Sequence, residues 1–130
     1  MATLYFSNDK LRICDGSVCL VSIPPVNNKR NLLEELSNKL EFPKHFGFNW
    51  DALYDLLCDF YWIEEKNIVV FHESVKNIPN NDLSKYLNII QATCEWWLKY
   101  NDHSVYFVFN YKEKERIKEL QSKHSVQSDL

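Results

Sequence analysis

Hydrophobic positions along this chain fall into two kinds of run. Short continuous apolar runs are typical of buried strands, whereas apolar residues spaced three and four apart are typical of amphipathic helices. Strand-like runs occupy residues 18–23 (VCLVSI), 67–72 (NIVVFH) and 104–109 (SVYFVF). Because none of the three alternates strictly between apolar and polar positions, each fits a parallel sheet that is covered by helices.

Helical patterns lie between these strands. Residues 28–40 carry leucines at helical spacing, and the following Phe42-Pro43 disfavours further helix. We predict a second helix at 49–60, capped by Asn49, and a third at 79–99. The order of elements predicts an α/β fold in which helices pack on a small three-stranded parallel sheet.

Both ends of the chain lie outside this pattern. Residues 3–7 and 11–14 are short and β-like, which predicts an N-terminal β-hairpin. Residues 112–123 predict a highly charged helix or tail. We expect one domain over residues 1–130, made of a core at about 18–110, an N-terminal addition at 1–17 and a charged tail at 111–130.

Composition excludes several classes of protein. The chain is 45% hydrophobic with only 2 Gly and 4 Pro, which argues against a disordered or collagen-like chain. No apolar stretch approaches the roughly 18 residues of a membrane helix, and the N-terminus lacks the pattern of a signal peptide. We therefore expect a cytoplasmic protein that does not bind membranes.

The four cysteines favour structural thiols over a metal centre. Cys14 and Cys19 flank a turn-like segment, while Cys58 and Cys94 lie in helical patterns. A zinc site would require a second close pair of ligands, which the sequence lacks. We expect reduced cysteines, no metal and no cofactor.

Negative charge is concentrated in one segment. The formal net charge of the chain is −3, yet His45–Glu65 contains five acidic residues and no Lys or Arg. The remaining residues include 15 basic and 13 acidic side chains, a charge of +2. Such a segment would repel nucleic-acid phosphates, so we expect no nucleic-acid partner.

A helical wheel separates the second helix into two faces. Its apolar side carries Trp50, Leu53, Leu56, Leu57 and Phe60, and its polar side carries Asp51, Tyr54, Asp55, Cys58 and Asp59. Like charges four residues apart cost a few tenths of a kcal/mol per pair, so stability alone does not explain this face. It is either a solvated acidic face or a docking surface for a basic partner, and the tyrosine favours docking.

A sequence motif covers the same helix. Residues 40–62 (LEFPKHFGFNWDALYDLLCDFYW) resemble the signature of the barstar family, small bacterial ribonuclease inhibitors. The resemblance rests on Phe42-Pro43, Phe46-Gly47, Asn49-Trp50-Asp51-Ala52-Leu53 and Asp55-Leu56-Leu57. Together with the order of elements, it covers about 90 of the 130 residues. It implies a non-enzymatic protein whose second helix and preceding loop block a ribonuclease active site.

The resemblance assigns contact roles to particular residues. His45 stands where the family has an aromatic contact, Asp51 and Asp55 match acidic contacts, and Tyr54 replaces a common Trp. Carboxylates on a helix can occupy phosphate subsites and form charge-assisted bonds to Arg. The partner-binding residues we predict are His45, Phe46, Gly47, Asn49, Asp51, Tyr54, Asp55, Cys58, Asp59 and Glu95. The implied partner is a cognate ribonuclease or nuclease toxin, bound by a chain that is monomeric beforehand.

The third helix departs from the family pattern. The typical member adds an acidic contact from this helix, and here Glu95 is the only carboxylate in the stretch 94–99. Trp96 lies off the main apolar stripe, so it is either an additional core residue or an altered contact. Because the family also includes immunity proteins for secreted toxins, the target need not be of the barnase type.

Two other functions remain open. The same face would also suit a non-inhibitory adaptor that binds a basic protein. A hydrolase using Asp51 and Asp55 is disfavoured because both lie on an exposed helix rather than in a cleft that would separate their pKa values. A metal site on Asp51, Asp55 and Asp59 is disfavoured because one helix face supplies too few converging oxygens.

Overall fold

The computed structural model describes residues 4–7 and 18–128, with side chains described as far as residue 122. Its elements confirm the predicted α/β order. They are β1 (Tyr5–Ser7), β2 (Val18–Ile23), α1 (Lys29–Leu40), α2 (Trp50–Leu57), β3 (Asn67–His72), α3 (Asn80–Tyr100), β4 (Ser104–Asn110), a 3-10 turn (Tyr111–Glu113) and α4 (Lys114–Ser128).

All described strands are parallel and form one sheet in the order β1-β4-β3-β2. The predicted three strands form its centre and one edge, with Val70 of β3 opposite both Val21 of β2 and Phe107 of β4. The fourth strand, β1, is added because Tyr5–Ser7 pair with the free edge of β4. Residues 11–14, the second arm of the predicted hairpin, lie outside the described residues, so the hairpin stays a prediction.

The main core lies between one face of the sheet and the helices. Alternate strand residues point to this face, and residues from α1, α2, α3 and α4 pack against them. On the opposite face, Val69, Phe71 and Val108 form a smaller buried cluster. Burial on both faces explains why the central strands are continuous apolar runs.

The C-terminal segment contributes to this hydrophobic core, although it lies beyond residues 18–110, the predicted central part of the domain. Ile117 and Leu120 of α4 are buried in the main cluster. The Glu113 carboxylate accepts the Val75 N–H at 2.9 and 3.0 Å, and Arg116 donates to the Val75 carbonyl at 2.9 Å. The predicted charged helix at the C-terminal end is therefore confirmed, and it packs into the core. The assignment of all 130 residues to one domain stays a prediction.

A buried histidine joins the sheet to α3. His72 Nδ1 donates to the Val108 carbonyl at 2.8 Å, and its Nε2 accepts the Tyr86 hydroxyl at 2.6 Å. The imidazole also stacks on Phe109, with ring centroids 4.2 Å apart. Burial lowers the pKa of His72 to about 4, so the neutral ring that fits these bonds is the stable form at neutral pH. Trp50 of α2 stacks on Tyr86, which links this buried pair to the start of α2.

Candidate functional site

The loop before α2 sets where that helix begins. Asn49 Oδ1 accepts the Ala52 N–H at 2.8 Å, and the Asn49 side-chain amide donates to the Gly47 carbonyl at 3.3 Å. A Cβ at position 47 would lie 3.1 Å from this amide nitrogen, so the glycine keeps space for the cap. The cap places Asp51 in the first turn, where the helix dipole favours a carboxylate.

Phe46 anchors the same loop. Its side chain is only 6% exposed and packs against Phe42 and Phe48, with ring centroids 5.0 and 4.7 Å away. The ring is therefore mainly a core residue, and a contact between Phe46 and a partner stays a prediction. His45, the preceding residue, is exposed.

The acidic face is exposed and unpaired. Asp51, Asp55 and Asp59 are all exposed, and none has a hydrogen-bond or ion-pair partner among the residues that the structure describes. An exposed carboxylate without a basic neighbour is free to form a charge-assisted bond with a partner.

The second helix is shorter than the sequence predicted. It ends at Leu57, not Phe60, because the Phe60 side chain turns into the core and the residue adopts a positive φ of 47°. Cys58 and Asp59 therefore lie beyond the last helical turn, and extending the helical wheel to them was wrong. Asp59 nevertheless remains exposed, and Cys58 is half-buried.

Tyr54 and Cys58 influence each other on this face. Interaction with the Cys58 thiol is the main cause of a raised Tyr54 pKa, with partial burial and nearby charges adding to it. Burial raises the pKa of Cys58, so its thiol stays protonated at neutral pH. The charge of Glu95 on α3 also raises the pKa of Tyr54.

A shallow groove of about 320 Å³ separates α2 from α3. Its walls are Trp50, Asp51 and Tyr54 on α2 and Lys85, Asn88, Ile89 and Ala92 on α3. Local sequence does not identify these α3 residues as part of the site, because their role depends on how α3 packs against α2. Their helical spacing was the one signal that they share a face.

Trp96 is not an additional core residue. Its side chain is 38% exposed, whereas Trp97 is buried and its indole donates to the Leu57 carbonyl at 2.8 Å. Trp97 and Leu57 thereby join the ends of α3 and α2. Of the two interpretations of Trp96, the core position is wrong and the altered contact remains.

The described residues show no sign of a metal centre or a membrane span. Within the described residues, no three His, Cys, Asp or Glu side chains come together to hold a metal ion. Cys19, Cys58 and Cys94 carry free thiols, and Cys14 lies outside the described residues. No helix in the described part of the chain is long and apolar enough to cross a membrane.

The comparison with protein families decides the relationship. Residues 17–112 match the family model of barstar, described as the barnase inhibitor. The chain belongs to the barstar family. The match includes the loop before α2, the acidic face and the α2–α3 groove, and leaves out β1 and all of α4. A search of curated proteins found no match.

Membership in the barstar family indicates which class of partner the exposed face could bind. The family is one of non-enzymatic inhibitors that bind ribonucleases of the barnase type. The α/β fold with its parallel sheet agrees with this membership. A protein partner with ribonuclease character is therefore the class that the family supports.

Proposed function

We propose that this chain is an immunity protein, or antitoxin, that inhibits a toxic ribonuclease by covering its active site. The observation that carries the proposal is the pair Asp51 and Asp55, which are exposed and unpaired on a helix inside the barstar match. A ribonuclease active site is basic because it binds RNA phosphates. Two fixed carboxylates supply the complementary charge.

The inhibitor acts by shape and charge, without chemistry of its own. The Asn49 cap fixes the start of α2, and the buried Phe46 fixes the preceding loop. A preorganised face loses little conformational entropy on binding, which strengthens the complex. Its negative charge also speeds encounter with a basic enzyme, which matters when the enzyme is toxic to the producing cell.

The proposed setting follows from this role. The inhibitor works in the cytoplasm of a toxin-producing bacterium, is monomeric until it meets the ribonuclease and requires no cofactor. His45, Asp51, Tyr54, Asp55, Asp59 and Glu95 form the contact surface in this proposal, with Gly47, Asn49 and Cys58 shaping it.

An inhibition assay tests the proposal. The purified chain is mixed with barnase and, separately, with the protein encoded next to its gene, and RNA hydrolysis is measured. We expect equimolar inhibition of at least one enzyme. Asp55→Ala should weaken that inhibition about 30-fold or more, roughly 2 kcal/mol, because it removes one partner of a desolvated charge pair. Glu34→Ala, which removes an exposed carboxylate on α1, should leave inhibition unchanged.

Other outcomes would contradict the proposal. Failure to inhibit either enzyme would overturn it, as would RNA hydrolysis by the purified chain alone. Binding of either enzyme with full retention of its ribonuclease activity would support the adaptor function instead.

A further inference from the structure

The C-terminal half of α3 exposes two large aromatic side chains. Trp96 is 38% exposed and Tyr100, one helical turn later, is 46% exposed. Their rings pack on each other with centroids 4.3 Å apart. Exposed aromatic surface of this kind is typical of the central contacts in protein interfaces, where Trp and Tyr are enriched.

These rings lie along the edge of α3 that faces α2. Trp97, the residue after Trp96, donates its indole N–H to the Leu57 carbonyl, so this part of α3 packs against the end of α2. Side chains four residues apart lie on the same side of a helix, so Trp96 projects from the side of α3 that carries Ala92. Ala92, one turn before Trp96, lines the α2–α3 groove. The aromatic pair therefore continues the α3 wall of this groove.

The surroundings of the pair favour a cationic occupant. The Lys99 ammonium already lies 5.5 Å from the Tyr100 ring centroid, so one ring of the pair holds a cation within the chain. Glu95, adjacent to Trp96, is exposed, accepts a bond only from Gln91 among the described residues and has no basic partner there. An incoming guanidinium would meet an exposed indole face and an unpaired carboxylate together.

We propose that Trp96 and Tyr100 extend the inhibitory face and receive an arginine side chain of the bound ribonuclease, stacked on the Trp96 ring beside Glu95. This inference rests on the proposed function and adds the partner chemistry at one edge of the same surface. In this proposal an aromatic face and a neighbouring carboxylate together bind the arginine, in place of a carboxylate alone.

Affinity measurements on α3 variants test the inference. With whichever enzyme the unchanged chain inhibits, barnase or the product of the neighbouring gene, we expect Trp96→Ala to bind at least tenfold more weakly, chiefly through faster dissociation. Trp96→Phe should keep most of the affinity, because a phenyl ring still offers a π face, and Trp96→Leu should not. Matched controls are Leu98→Ala and Tyr111→Ala, which truncate side chains that are 69% and 52% exposed elsewhere, and both should bind normally. Thermal unfolding checks that every variant is folded.

A double-mutant cycle identifies the occupant. Each arginine of the enzyme is changed to alanine and combined with Trp96→Ala, and one pair should show a coupling of about tenfold. If none of the arginines shows coupling, the assignment is wrong. Normal binding by Trp96→Leu would also overturn it, because it would indicate a purely apolar contact. A homodimer of the unchanged chain that Trp96→Ala dissociates would make a second copy the occupant and contradict the proposal.

The two proposals fail in different ways. If Asp55→Ala weakens inhibition and Trp96→Ala does not, the aromatic extension is wrong and the inhibitor function stands. If the unchanged chain inhibits neither enzyme, both are wrong.

Discussion

Two regions of this protein use carboxylates in opposite ways. Glu113, at the start of the C-terminal segment, is buried and accepts bonds from the Val75 N–H and the Ser74 hydroxyl. Asp51 and Asp55 on α2 are exposed and bond to no described residue. The first carboxylate joins parts of the chain, whereas the other two are left available for a second molecule.

This difference separates folding from recognition. The Glu113 carboxylate satisfies the buried Val75 N–H, so removal of the carboxylate leaves that donor without a partner and should reduce stability. Unpaired exposed charges contribute little to stability, and like charges on one helix reduce it slightly. Substitution of Glu113 should therefore change the free energy of unfolding, whereas substitution of Asp51 or Asp55 should change the affinity for the ribonuclease. A variant that changes the other quantity would contradict this separation.

The largest effect is expected at Glu113. Glu113→Ala removes the acceptor of the buried Val75 N–H and should lower the free energy of unfolding by about 3 kcal/mol. Urea denaturation measures this loss, and ribonuclease inhibition below the unfolding transition should be unchanged. Glu115→Ala, an exposed control nearby, should change stability by less than about 0.5 kcal/mol. Equal stability of both variants would show that the bonds from Glu113 to the Val75 N–H do not stabilise the fold.

A smaller effect is expected from acid on the buried His72. Its pKa is about 4 when folded and 6.5 when exposed, so it carries no penalty above about pH 6.5, where both states are neutral. As pH falls below that value, the unfolded chain binds a proton that the folded chain does not. Stability should therefore fall by about 2 kcal/mol between pH 7.5 and pH 5 and continue to fall to about pH 4.

Substitution of His72 sharpens this test. In His72→Gln most of the acid sensitivity in this range should disappear, while the exposed His45→Gln should keep it. Denaturation curves collected at several pH values provide the measurement. Acid sensitivity that persists in His72→Gln would assign it to other groups and contradict the role given to burial.

Asp51 should affect binding rather than stability. Asp51→Asn keeps the shape of the side chain and removes its charge, so affinity for the inhibited ribonuclease should fall about tenfold, or 1.4 kcal/mol. The loss should shrink at high salt, because screening weakens the lost interaction as well. Glu64→Gln neutralises an exposed residue of the same acidic segment outside α2 and is the control. Equal losses from both variants would indicate a general charge effect instead of a specific contact.

The smallest effect is a gain in stability. Asp55→Asn removes the repulsion from Asp51 one turn earlier and a negative charge near the C-terminal end of α2, where the helix dipole disfavours it. Thermal unfolding should show a stabilisation of a few tenths of a kcal/mol, while inhibition weakens. A loss of stability would show that Asp55 takes part in folding and would remove the contrast with Glu113.

Much of the fold followed from local sequence. The three apolar runs became β2, β3 and β4, and Asn49 capped α2 as its position predicted. The length of α2 did not follow, because Phe60 leaves the helix to enter a core built from distant segments. The added strand β1 also depends on a distant edge, that of β4.

The candidate site was predictable where it lies on one element. The exposure of Asp51 and Asp55 followed from helical periodicity, as did the division of α2 into two faces. The burial of the Phe46 ring did not follow from local sequence, because a loop has no periodicity to show which side chains turn inward. The α3 wall of the groove, with Lys85 and Ile89, required knowledge of which helix packs beside α2.

The sequence alone determined the element types, the acidic face and the barstar motif, because each depends on residues close together along the chain. Tertiary structure decided what those residues meet. It buried Glu113 and His72 with partners 36 to 39 positions away in sequence, and it left Trp96 exposed beside α2. Local periodicity reports which side of an element is apolar. Only packing of the whole chain determines which polar groups find partners inside it and which remain for another protein.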